Sequence, residues 1–281
     1  MPKPPHPLTP DHPAAPDRAL QDAITALRMQ RFGEAERLAA AVFKADRNSA
    51  VAATILARAL MMQNRAAEAV APLQRVARRA DDPALETMLA GALAAAGRSE
   101  EALEQLRRTT ARRPPFLPAF LERGRQLADA GRHDEAIAML EGALELAPES
   151  IEMHLDLAFI LQQRNARGRA RAVLLQAQAL APQRLDVLAS LAQTMILDGE
   201  YAAAADTYRR VLAVQPDYAA ARFELGRCLL ELGEREAGEA SLREAVRSNP
   251  QLASRLVVSL AAASRGRMFL RPSTVAKFLT R

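Results

Sequence analysis

The chain has 281 residues, of which 49% are hydrophobic but only 4% are aromatic, and it has no tryptophan. A core of alanine, leucine and valine favours close-packed helices over sheets, which prefer aromatic and β-branched side chains. The single cysteine, Cys228, excludes an intramolecular disulfide framework and a cysteine-rich metal site.

The net charge is unevenly distributed along the chain. A formal charge of +5 would by itself suggest a nucleic-acid partner. Residues 252–281, however, hold six basic side chains and no acidic one, so the rest of the chain carries 32 basic and 33 acidic groups. Because this long body is almost neutral, we expect no nucleic-acid partner.

The N-terminal segment differs from the rest in composition. Seven of the first 16 residues are proline, and no apolar segment of the kind found in secretory signals is present. We therefore predict a disordered, proline-rich lead-in over residues 1–15. No uncharged stretch approaches the roughly 20 apolar residues of a membrane helix, which predicts a cytoplasmic protein. The excess of alanine and arginine is typical of a GC-rich bacterial genome.

A period of about 34 residues runs through residues 16–252. If the alanine of a recurrent Glu-Ala pair is taken as an anchor, successive anchors lie 34, 33, 34, 34, 34 and 34 residues apart. The anchors are Ala35, Ala69, Ala102, Ala136, Ala170, Ala204 and Gly238. This regularity predicts seven copies of one structural unit.

Two positions in each copy predict where its helices end. Five residues before the anchor, six of the seven copies have glycine or asparagine, which tolerate the left-handed backbone that terminates a helix. These positions are Gln30, Asn64, Gly97, Gly131, Asn165, Gly199 and Gly233. Twelve residues after the anchor, the last five copies have proline, which cannot continue a helix. Each copy is therefore predicted to be a helix, a tight turn and a second helix.

Further positions predict how the two helices pack. The residue twelve before the anchor is alanine or glycine in every copy, and leucine predominates nine before and four after it. Small residues allow two helices to approach closely, while leucine fills the space beside the crossing.

With its Gly-Arg-x-x-Glu-Ala segments and late prolines, the unit resembles the tetratricopeptide repeat over about residues 16–252. The resemblance implies an all-α, right-handed superhelical solenoid of about seven helix-turn-helix repeats with a C-terminal capping helix. It also implies that the first helices line a concave groove that binds a peptide or partner segment. The aromatic residue often found early in the first helix is present only as Phe120.

The positions 15, 11 and 8 before each anchor share one face of the first helix. This face is mostly apolar and carries three arginines. The candidate partner-binding residues on it are Arg58, Met61, Leu121, Arg125, Phe159, Gln162, Gln193, Phe223 and Arg227. They fit a peptide groove in which arginine anchors a carboxylate. They also fit burial by superhelical curvature and by the chain's own ends. The lysine and asparagine with which some chaperone-binding members hold a terminal carboxylate are missing.

Residues 253–281 depart from the repeat. Leu252, Leu256, Leu260 and Ala263 form an i, i+4 stripe that predicts a capping helix, which Gly266 ends. The basic amphipathic segment 268–281 could instead dock on an acidic partner or an anionic membrane surface.

No catalytic, cofactor or metal site is predicted. The four histidines lack metal-ligand spacing, and Cys228 lies inside the first helix of the last copy, where a buried thiol is expected. We therefore predict a non-enzymatic scaffold or adaptor with a protein or peptide partner. The alternative is a regulatory or targeting subunit of a transferase or of a membrane-associated assembly or secretion complex.

Overall fold

The structure, a computed structural model, describes residues 15–262. Within this range it contains α-helices, one short 3-10 turn at Pro250–Leu252 and no strand. The helices are α1 Ala15–Arg28, α2 Phe32–Ala45, α3 Ala50–Met62, α4 Ala66–Ala77, α5 Pro83–Ala95, α6 Ser99–Thr110, α7 Leu117–Asp129, α8 His133–Leu146, α9 Ile151–Gln163, α10 Arg167–Leu180, α11 Leu185–Leu197, α12 Tyr201–Val214, α13 Ala219–Glu231, α14 Arg235–Ser248 and α15 Ala253–Ala262. The predicted all-α class is confirmed. Most of the predicted lead-in, and the residues from Ala263 onward with Gly266 and the segment 268–281, lie outside the described range.

The turn inside each hairpin is formed as its sequence predicts. All seven residues five before the anchors have positive φ, from 57° at Asn165 to 86° at Gly233. Gln30 adopts the same conformation at φ 58°, although its copy lacks the glycine or asparagine of the others. The amide that follows each of these residues donates to a carbonyl five residues back, as Arg31 does to Ala26 at 2.8 Å. The helix-turn-helix prediction is therefore confirmed.

The chain divides into two compact units, the first ending at Met139. In the first unit, consecutive helices from α1 to α7 pack against one another. The first helices of successive hairpins, α1, α3, α5 and α7, also pack against one another. Nearest-neighbour stacking of this kind is the packing expected of a helical repeat.

The second unit begins at Leu140 and follows the same rule. Helices α9 to α14 pack in chain order, α9 also contacts α11, and α15 packs on α14. The small residues twelve before each anchor are buried in every copy of both units, as are the anchors themselves. In the last hairpin the crossing is formed by two glycines, Gly226 of α13 and Gly238 of α14.

The C-terminal helix α15 covers the last hairpin. Leu256 and Leu260 on α15 are fully buried, and they pack in one cluster with Phe223 and Leu230 of α13. Arg255 places its guanidinium 5.0 Å from the centre of the Phe223 ring and donates to Glu224 at 2.8 Å. The expectation that Phe223 faces a partner is therefore wrong in this structure, because α15 shields its ring from solvent.

Candidate partner-binding site

The first unit contains a cleft of about 460 Å³ between the α1–α2 turn and the end of α3. Seven residues line it: Leu27, Arg28, Gln30, Phe32, Arg58, Met61 and Met62. Leu27 and Met61 occupy the same repeat position on successive first helices, and Arg58 precedes Met61 by three residues, so it lies on the same helix face. The left-handed turn at Gln30 brings Phe32, the first residue of α2, to the same opening.

Within the described part of the chain, no carboxylate neutralises the two arginines of this cleft. Neither Arg28 nor Arg58 has a carboxylate partner among residues 15–262. By contrast, Arg65 donates to both Glu68, at 2.6 Å, and Glu36, at 2.8 Å. The cleft therefore combines a basic rim with an apolar floor.

The floor of the cleft consists largely of adaptable side chains. Met61 and Leu27 are half-buried against the core of the first unit, whereas Met62 is 61% exposed. Methionine is unbranched and polarizable, and it suits surfaces that must fit irregular apolar groups. The arrangement can therefore accept an apolar side chain and, at its rim, an acidic one.

The structure brings two of the predicted residues, Arg58 and Met61, into this cleft and places the others elsewhere. In the first unit, Leu121 is half-buried and Arg125 is exposed. In the second unit, Phe159 is 58% exposed, and the amide of Gln162 donates to the Thr194 hydroxyl at 2.7 Å.

Apart from the buried Phe223, two predicted residues of the second unit remain, and they differ in whether a partner could reach them. Gln193 is half-buried. Arg227 is already paired with Glu224 at 2.7 Å, so the carboxylate expected from a partner is supplied by the protein itself.

Sequence reasoning missed Arg28, Gln30, Phe32 and Met62 as lining residues. They lie at or beside the turns rather than on the predicted helix face. Leu27 does lie on the predicted helix face, eight residues before its anchor, but it is not among the candidate binding residues. The sequence did contain one feature that could have indicated them: large apolar residues lie next to the left-handed turns. Two examples are Met29 and Met62, which are 62% and 61% exposed.

A second cleft, of about 470 Å³, lies in the second unit between α8, α9 and α10. Leu144 and Leu180 line it together with Glu141 and Glu145. His154 also borders it, but its ring is buried and its Nδ1 donates to the Ser150 carbonyl at 2.8 Å. A histidine held in this way packs within the repeat, as its place in the repeat predicts.

Cys228 is fully buried in α13, and burial raises the pKa of its thiol to about 12. Because the thiolate is the reactive form, this rise in pKa leaves the thiol protonated and unreactive at pH 8. We expect iodoacetamide to leave Cys228 unmodified in the native protein and to alkylate it once the protein is unfolded in urea, as read by intact mass. Equal alkylation rates in the two states would contradict the buried position.

Two further observations concern residues 15–262 alone. No group of three or more histidine, cysteine, aspartate or glutamate side chains is placed to hold a metal ion. None of the helices in this range has the length and apolar content needed to cross a bilayer.

Comparison with known proteins agrees with this geometry. Two family models described as tetratricopeptide repeat match the chain, one at residues 20–84 and 87–151, the other at 127–194 and 195–263. No curated protein sequence was found to match significantly.

Among solved structures, a tetratricopeptide repeat protein from Parabacteroides merdae aligns with a TM-score of 0.63 at 15% identity, over 87% of this chain and 98% of that one. A human IFIT1 dimer with m7Gppp-AAAA aligns at 0.60 and 15%, over 88% and 64%. MamA aligns at 0.52 and 19%, over 59% and 97%. Identities this low show the fold alone.

The stacked hairpins and their exposed clefts define a helical repeat protein of the interaction-scaffold class. Together the two family models span most of the described residues. The chain therefore belongs to the tetratricopeptide repeat family.

Proposed function

We propose that this protein is a non-catalytic adaptor that binds a segment of a partner protein in the cleft between α1, α2 and α3. The observation that carries the proposal is the pair Arg28 and Arg58, which lack carboxylate partners among residues 15–262 and lie beside the half-buried Met61 and the exposed Met62. Partner-facing surfaces are enriched in arginine, methionine and aromatic side chains.

The chemistry of the cleft indicates the kind of segment it binds. A volume of about 460 Å³ accommodates a few side chains but not a folded domain. The apolar floor favours a leucine- or methionine-like residue, and the two arginines favour an adjacent aspartate or glutamate. The partner is therefore a short segment with apolar and acidic residues close together, and we propose that the cytoplasm is the compartment where they meet.

A charge reversal at the rim tests this function. The double variant Arg28→Glu, Arg58→Glu is expected to lose captured partners by at least about tenfold, because it sets two negative charges against the acidic residue of the partner, and like charges brought together at an interface cost several kcal/mol. Capture on full-length bait followed by quantitative mass spectrometry measures the loss.

A matched control separates this site from general electrostatics. Arg37 and Arg75 are also exposed but belong to the second helices α2 and α4. The variant Arg37→Glu, Arg75→Glu makes the same charge change in the same unit and is expected to retain its partners. Equal capture by the wild type and both variants would remove this cleft as the binding site.

A further inference from the structure

The fourth repeat has a charged residue at a core position where the other internal repeats have leucine. Thirteen residues before the anchor, five repeats have a leucine that is at most 8% exposed: Leu56, Leu89, Leu157, Leu191 and Leu225. The first repeat, at the end of the stack, has Asp22 there, and it is exposed. The fourth repeat has Arg123. A charged group at a position that packs the core elsewhere breaks a local rule, and such breaks concentrate at functional sites.

Arg123 lies at a small cleft of the first unit. The cleft has a volume of about 160 Å³ and lies between α6, α7 and the turn before α8. Its lining residues are Glu100, Leu103, Glu104, Arg107, Arg123, Leu127 and Arg132. Three arginines and two glutamates give this lining a net charge of +1. The space is large enough for a carboxylate group with its methylene but too small for a nucleotide.

Among residues 15–262, the guanidinium of Arg123 has one hydrogen-bond partner, and that partner is neutral. It donates to the hydroxyl of Thr110 at 3.0 Å. No carboxylate of residues 15–262 lies within 4.0 Å of it. The hydroxyl of Thr110 in turn donates to the Leu106 carbonyl at 2.9 Å, so this contact orients Arg123 without neutralising it.

Two carboxylates whose charges act on Arg123, those of Glu104 and Glu135, are paired with other arginines. Glu104 accepts from Arg107 at 2.7 Å and from Arg108 at 2.8 Å, and these bonds lower the pKa of Glu104 to about 2. Glu135 accepts two bonds of 2.7 Å from Arg132. Both pairings use the carboxylates in the fork geometry that arginine favours.

The surroundings of Arg123 also favour an added negative charge. Partial burial lowers the pKa of Arg123, and repulsion by Arg107 and Arg132 lowers it further. A half-buried cation with like charges beside it is stabilised by any anion that can reach it.

We propose that Arg123 binds a single carboxylate, the side chain of an aspartate or glutamate on a protein partner, inserted between α6 and α7. The protein origin of the carboxylate rests on the proposed function, but the binding of a carboxylate does not. A singly charged ligand matches the lining, because Glu100 and Glu104 at the rim repel a dianion such as phosphate. Nε and Nη2 of Arg123, which make no hydrogen bond to residues 15–262, form a planar fork that suits the two oxygens of a carboxylate.

Acetate is the probe for this site. In the full-length ¹⁵N-labelled protein, the Nε–H resonance of Arg123 is assigned by its loss in Arg123→Leu. Acetate, phosphate and chloride are then titrated at constant ionic strength. We expect a saturable shift with acetate, half-complete on the order of 10 mM for so small a ligand, and weaker, non-saturating changes with phosphate and chloride.

Substitution supplies a second measurement. Arg123→Leu restores the residue of the sister repeats, so it is expected to raise the thermal midpoint by about 1–4 °C while abolishing the acetate response of neighbouring amides. Arg37→Leu, an exposed control, should retain that response.

Several outcomes overturn the proposal. These are an acetate response no larger than that of chloride, tighter binding of phosphate than of acetate, or persistence of the response in Arg123→Leu. A lower midpoint in Arg123→Leu without any acetate response in the wild type would show that Arg123 is purely structural. None of these results bears on partner capture through Arg28 and Arg58, so the two proposals fail separately.

Discussion

Replacing Phe223 by alanine is expected to lower the free energy of unfolding by about 3–5 kcal/mol. Its ring is fully buried between α13 and the helices that follow, against Leu230, Leu242 and Leu256. Truncation leaves a cavity and removes the aromatic surface beneath Arg255, 5.0 Å from the ring centre. Urea titration followed by circular dichroism measures the loss, and hydrogen exchange locates it in α13, α14 and α15.

Phe159 provides the matched control for this prediction. It lies in the first helix of the fifth repeat, on the same predicted face, but 58% of it is exposed. Phe159→Ala should therefore change the free energy of unfolding by no more than about 0.5 kcal/mol. Similar losses in the two variants would mean that α15 does not cover Phe223.

Replacing Gly226 by alanine is expected to destabilise the second unit by about 1–3 kcal/mol. A methyl group on Gly226 would lie 2.7 Å from Cγ of Leu242 and 2.9 Å from the carbonyl oxygen of Gly238. Neither atom is the free end of a flexible chain, so α13 and α14 must move apart. The thermal midpoint and urea titration report the change.

Gly142 is the control for the glycine prediction. It lies in α8, and an added methyl group meets no atom within 4 Å. Because alanine is the better helix former by about 0.8–1.0 kcal/mol, Gly142→Ala should stabilise the protein. Glycine-to-alanine substitution is thus expected to lower the free energy of unfolding at Gly226 and to raise it at Gly142. A stabilising Gly226→Ala would contradict the close approach of α13 and α14.

The two proposed sites use different parts of the first unit. The cleft at Arg28 and Arg58 lies at turns and helix ends, whereas Arg123 occupies a position that sister repeats fill with buried leucine. A protein partner with apolar and acidic residues could use either chemistry, and the substitutions test each site separately.

The repeat architecture was predictable because its determinants are local. A left-handed residue ends each first helix, and all seven predicted positions have positive φ. The second helices of the last five copies end before a proline, as α14 does at Ser248 before Pro250. Small residues at each crossing are buried as expected. These features depend on the backbone preferences of single residues and on the spacing of residues along a helix. Both can be recognised from the sequence alone.

The binding surface was only partly predictable, because exposure depends on what packs over a face. Phe159 and Phe223 share a predicted face, yet one is exposed and the other lies beneath α15. Arg58 and Arg227 occupy the same repeat position, but within residues 15–262 only Arg227 of the two pairs with a glutamate.

The sequence by itself thus determined the helices, their turns and the close crossings, since a period of 34 residues specifies the same local structure each time. The tertiary structure decided which side chains of the shared face remain accessible, because that depends on neighbouring helices distant in sequence. It also decided that Arg123, which replaces the buried leucine of five sister repeats, lies at a cleft and pairs with no carboxylate of residues 15–262.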